Sequence, residues 1–159
     1  MISSNPVEHR TRFATFFLLV LILLFTFSPG SANDSSDNRR READAQKFVN
    51  QKLQVWQERL NLKSWNIKAR LVRQNTLEAG TLGNVNWDTA IKKADIGVLS
   101  TYDYTLPYDE MLADMEFTVV HELVHLQLAS LPRSEASRST EEHAVNELSR
   151  ALLRLANGK

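Results

Sequence analysis

Hydrophobic positions fall along this chain in distinct patterns, and each pattern predicts a different piece of structure. Residues 13–27 run for 15 positions without a charge, one unbroken apolar block. From about residue 40 the pattern becomes periodic: Ala45, Phe48, Val49, Leu53, Trp56 and Leu60 recur at steps of three and four. That spacing lines one face of a helix, and an aromatic stripe on it should cover a sheet. Residues 65–71 then alternate strictly, with Trp65, Ile67, Ala69 and Leu71 apolar and Asn66, Lys68 and Arg70 polar, as in a half-buried strand. Residues 82–88 make a second, weaker strand, interrupted by Gly83, and residues 94–100 a third, joined to the second by a turn near residues 88–93.

Beyond residue 101 the pattern changes again. Residues 101–111 read as a loop, rich in tyrosine (Tyr102, Tyr104, Tyr108) and broken by Pro107. A helix that is apolar on nearly all sides follows from about residue 110 to 130 and stops near Pro132. After a polar connector, residues 130–139, a last helix over about 140–157 carries Val145, Leu148, Leu152 and Leu155 on one side and ends at Gly158. One helix, three strands and two helices make an α+β domain spanning residues 40–159, with no internal repeat.

The first apolar block stands apart from that domain. Basic residues precede it (Arg10, Arg12), and Gly30 and Ala32 supply the small side chains of a signal-peptidase site. At 15 residues it is short of the roughly 20 a membrane helix wants. Residues 1–32 therefore read as a secretory signal, with an uncleaved membrane anchor as the rival, and residues 33–39 as a polar spacer. The chain is expected to be exported, to a periplasmic or extracellular space, with a membrane as partner only if the segment stays attached. Residues 33–159 hold 17 basic and 18 acidic residues, a formal charge of −1, and nothing in that balance suggests nucleic acid. Cysteine is absent, which excludes disulfides, thiolate metal ligation and a cysteine nucleophile.

The buried helix carries the chemistry. Residues 118–126 read Thr-Val-Val-His-Glu-Leu-Val-His-Leu, so His121 and His125 lie one turn apart with Glu122 beside the first. Residues four apart share a helix face, and both imidazoles can point at one ion. This H-E-x-x-H pattern is the zincin motif, in which the glutamate, about 100° round the helix, takes a proton from water. Two imidazoles and a carboxylate amid Val119, Val120, Leu123 and Val124 cost several kcal/mol unless paired or metal-bound.

A catalytic zinc takes three protein ligands and keeps one position open. His9 lies in the signal, and His143 faces nearly opposite the apolar stripe of the last helix. Two adjacent glutamates compete for the third place. Glu141 points along the stripe; Glu142 lies on its flank, with Asn146 one turn later to hold a ligating histidine by its second nitrogen. Ser139 and Glu142 also have the spacing of a capping box, a purely structural use of Glu142.

The motif followed by Glu142-x-x-x-Asn146 on a second helix resembles the gluzincin metallopeptidases, their smallest members (the minigluzincins) most of all, and the short single-domain zincin-like proteins of bacteria. The resemblance covers residues 40–157 and departs from the family in a short connector. It implies zinc on His121, His125 and Glu142, Glu122 as general base, and Asn146 supporting the site. It also implies a peptide or protein substrate pairing with a sheet edge beside the motif helix, for which residues 94–99 are the candidate. No tyrosine or histidine stands where many members stabilise the oxyanion, which leaves Tyr102, Tyr104 and Tyr108 as candidate donors. The expectation is zinc-dependent peptide-bond hydrolysis. The rival is a catalytically weak zincin-fold protein that uses zinc structurally and serves as a binding or inhibitory module.

Overall fold

A computed structural model describes residues 31–131 and 135–158. The segment read as a signal lies, up to residue 30, outside them. Helix α1 (Ser31–Arg59) leads into β1 (Asn66–Val72), β2 (Gly83–Asp88) and β3 (Lys93–Leu99), followed by α2 (Tyr108–Gln127) and α3 (Glu135–Ala156). Short 3-10 turns occupy Gln74–Thr76 and Thr101–Asp103. The architecture is the α+β class expected, with a three-stranded mixed sheet ordered β1-β3-β2.

Two boundaries differ from the hydrophobic pattern. Residues 33–39, read as a spacer, are the first turns of α1. Residues 34–39 are exposed, so periodicity carries no trace of them, but their polar side chains bond along the helix: Asn38 Nδ2 donates to Asp34 Oδ1 (3.4 Å) and Arg39 Nε to Ser35 O (3.1 Å). Likewise α3 starts at Glu135, inside the stretch read as a connector. Ser139 is thus already helical, and the capping-box use of Glu142 falls away.

Helix α1 stops where Asn61 takes a left-handed conformation, φ 55°. There Leu62 N–H donates to Gln57 O and Asn61 N–H to Glu58 O, a Schellman ending sealed by the buried Leu62. The chain then enters β1. Strand β2 folds back antiparallel onto β3 through a turn in which Asp88 Oδ1 accepts from Ala90 N–H (2.8 Å). Strand β3 also pairs, in parallel, with β1, so it is central. Residues 94–99 are therefore not the sheet edge expected; the edge beside α2 is β2, because the hairpin carries β2 outward.

Ala94, Ile96 and Val98 of β3 face Ala45, Val49, Leu53 and Trp56 of α1 and Met111, Met115, Val119 and Leu123 of α2 in one apolar core. Burying a large side chain of this kind contributes roughly 1.5–3 kcal/mol. Helix α2 thus runs through the centre of the domain, and α3 packs along it through Val145 and Ser149, both fully buried. That packing brings the chemistry of α3 to the chemistry of α2.

Candidate metal centre

The last two turns of α2 hold His121, Glu122 and His125, with Glu122 6% and His125 7% exposed. His121 Nε2 and His125 Nε2 lie 3.0 Å apart. Glu142, from α3, reaches both rings: Oε2 is 3.4 Å from His121 Nε2 and Oε1 3.3 Å from His125 Nε2. The three residues form a group able to hold a metal ion. Zinc bound at about 2.0–2.1 Å by tetrahedrally placed N and O ligands separates them by roughly 3.3 Å. The observed separations are therefore those of one face of such a coordination shell, and the donor set, two imidazoles and a carboxylate, suits zinc.

The neighbouring glutamate has another place. Glu141 Oε1 lies 3.1 Å from His125 Nδ1, the ring nitrogen turned away from the group. It stands where a carboxylate would orient a ligating imidazole and fix its tautomer. The sequence had offered that task to Asn146. His121 Nδ1, the nitrogen Asn146 was expected to hold, is buried without a hydrogen-bond partner among the described residues, although Asn146 lines the same cleft. His143 is exposed, as expected.

Burial, and then the charge of His125, lowers the pKa of His121, which favours the neutral imidazole that a metal needs. Glu122 moves the other way: burial, and then the negative charge of Glu142, pushes its carboxyl up to about 8. It is not one of the three grouped residues. It lies under the start of β2, where a Cβ on Gly83 would come 2.4 Å from Thr118 Cγ2 and 3.1 Å from Glu122 Oε1. The glycine that weakened the strand signal is what lets the sheet edge close over this carboxylate.

These groups open into a cleft of about 990 Å³ between β2 with the loop before it and the facing sides of α2 and α3. None of the three loop tyrosines lines it. Tyr104 donates its hydroxyl to Asp114 Oδ2 (2.9 Å), Tyr108 lies under Arg41, and Tyr102 lies under Arg73. The oxyanion role considered for them does not hold, because the loop runs past the far end of α2. The cleft instead presents Phe117 and Trp87, and at its mouth Glu78 and Arg138, residues the sequence reading passed over. Arg138 stands four positions before Glu142, so helix spacing alone was a signal for it.

Comparison of the chain with protein-family profiles, curated proteins and solved structures finds no match. What is established is a small α+β domain with a buried His-His-Glu triad fitting a metal site. Among the described residues no helix is long and apolar enough to cross a membrane.

Proposed function

We propose that the protein is an exported zinc-dependent peptidase of gluzincin type. The observation that carries the reading is Glu122, a carboxylate buried in the cleft beside the triad yet outside it. A purely structural metal site has no use for such a group, and burying it costs stability. His121, His125 and Glu142 would hold the zinc, which would supply a Lewis acid for water and carbonyl and a positive charge favouring the ionised form of Glu122. Ionised Glu122 then accepts a proton from water on one carboxylate oxygen as that water attacks the peptide carbonyl. It returns the proton to the departing amine nitrogen. Glu141 holds the His125 ring in place.

Strand β2 supports a peptide as substrate. Leu99 N–H donates to Leu82 O, so by the alternation of an antiparallel ladder the N–H and C=O of Gly83, Val85 and Trp87 turn away from β3, along the cleft. An extended peptide adds to such an edge. The test is metal content and hydrolysis of a diverse peptide library by residues 33–159, beside Glu122→Gln. About one zinc per chain and hydrolysis lost only in the variant is the expected result. A zinc-loaded, monodisperse wild-type protein inert toward every peptide would establish the structural-zinc rival instead.

A further inference from the structure

An ion pair crosses the mouth of the cleft. Arg138 Nη2 lies 3.3 Å from Glu78 Oε2 and 3.5 Å from Glu78 Oε1. The partners come from opposite walls, Glu78 from the β1–β2 loop and Arg138 from the first turn of α3, and both line the cavity that contains the triad. Arg138 is one helical turn before Glu142, so it is held by the element that carries the third ligand. Its side chain is 61% exposed and that of Glu78 75%, so the pair is solvated and a competing anion displaces Glu78 at little cost.

We propose that Arg138 is the anchor for a carboxylate of the peptide substrate, and that Glu78 occupies its place when the cleft is empty. The charges around it single out this position. Apart from the histidines, the other charged side chains lining the cavity among the described residues are carboxylates: Glu78, Glu122, Glu141 and Glu142. Away from the metal site, a substrate carboxylate meets only like charge in the cleft lining and gains a forked guanidinium partner at Arg138. The direction of the edge strand agrees. A peptide lying antiparallel to β2 has its carboxyl end toward Gly83, the end at which the β1–β2 loop brings Glu78. The carboxylate is either the free C-terminus or the side chain of an acidic residue near the cleaved bond.

This proposal rests on the peptidase reading, and binding separates the two. Three probes serve: the tripeptide Ala-Phe-Ala as free acid, the same peptide as carboxamide, and Ala-Phe-Glu carboxamide, each titrated into zinc-loaded protein carrying Glu122→Gln so that none is consumed. The free acid, the glutamate peptide, or both should bind about tenfold more tightly than the plain carboxamide, as one charge-assisted contact provides. Which of them does so identifies the source of the carboxylate. Adding Arg138→Gln should erase that preference and leave the plain carboxamide unchanged. Adding Glu78→Gln should tighten the carboxylate peptides by up to about fivefold, since their competitor is gone. A preference that survives Arg138→Gln, equal binding of all three probes, or binding of none overturns the proposal. Discrimination in binding by a protein whose wild type hydrolyses nothing would sink the peptidase reading and leave the anchor standing. Hydrolysis without discrimination would do the reverse.

Discussion

Two glutamates, Glu42 of α1 and Glu122 of α2, are both carried by a helix toward the sheet, and they meet opposite fates. Glu42 accepts from Ser100 Oγ (2.8 Å), from Thr101 N–H (3.0 Å) and from Thr101 Oγ1, tying α1 to the turn after β3. Glu122 has no hydrogen-bond donor among the described residues, lies deeper, and has its pKa pushed up to about 8 by burial. A carboxylate surrounded by donors is a fastening: its charge is spent on neighbours that would otherwise be buried unpaired. A carboxylate buried without donors fastens nothing, and the proposed mechanism gives it a use. Under the proposed function, the difference separates the structural end of the domain from its chemical end.

The sharpest test is Glu122→Gln. Under the proposed mechanism it keeps zinc, removes the base and lowers peptide hydrolysis by about 10²–10⁴-fold. The parallel substitution Glu42→Gln should leave turnover within about twofold, because Glu42 is absent from the cleft lining. Steady-state kinetics on the two zinc-loaded variants breaks the comparison if both fall together.

Stability against pH comes next in size. In the chelated protein, Glu122 has a folded pKa of about 8 against an ordinary 4.5. A carboxyl raised in this way stabilises the fold fully below pH 4.5, and the contribution is lost as pH rises through 8. The whole swing amounts to about 5 kcal/mol. His121, lowered by burial from 6.5, acts in the opposite sense, its stability present above that value and lost as pH falls. The window from pH 6.5 to 8 therefore isolates Glu122. Denaturant titrations of metal-free protein across it should show falling stability in wild type and a flat line in Glu122→Gln.

Removing the fastening costs less. Glu42→Ala strands Ser100 Oγ and Thr101 N–H in surroundings where those residues are 1% and 8% exposed, a loss of about 2–3 kcal/mol. The midpoint of denaturation should drop while zinc affinity holds. Smaller again is the effect of Glu141, which touches His125 on its far nitrogen. Glu141→Ala should weaken zinc by about 10–100-fold, as loss of an orienting partner does. Glu142→Ala, which removes an inner ligand, should exceed it in the same competition titration.

Much of this was legible in the sequence, and the limits have physical causes. The helix stripe of α1, the alternation of β1 and the one-turn spacing of His121 and His125 are local regularities, written wherever an element buries one face. Which strand lies at the edge is not local: the hairpin leaves either β2 or β3 free to be outermost, and only pairing of β3 with the distant β1 makes it central. The choice between Glu141 and Glu142 depends on a few tens of degrees of rotation of α3 against α2, set by packing at Val145 and Ser149. Residues 34–40 of α1 and 138–140 of α3 left no signal because they are exposed, and hydrophobic periodicity registers burial alone.

One group limits how far the comparison extends. Ser149 Oγ is fully buried in the contact between α3 and α2 and has no hydrogen-bond partner among the described residues. If every buried, unsatisfied polar atom marked chemistry, Ser149 would belong with Glu122. It lies outside the cleft lining, however, and a hydroxyl carries no charge whose desolvation shifts a pKa. Its small side chain is what the helix contact uses, since two helices approach closely only over small residues. Ser149→Ala keeps that size and removes the unpaired oxygen, so stability should rise by up to about 1 kcal/mol, with zinc affinity and turnover unchanged. Ser149→Val, which adds volume at a fully packed site, should cost about 1–3 kcal/mol. If Ser149→Ala instead destabilises the fold or weakens zinc, the hydroxyl has a partner in the working protein, and lack of a hydrogen bond stops separating function from packing here.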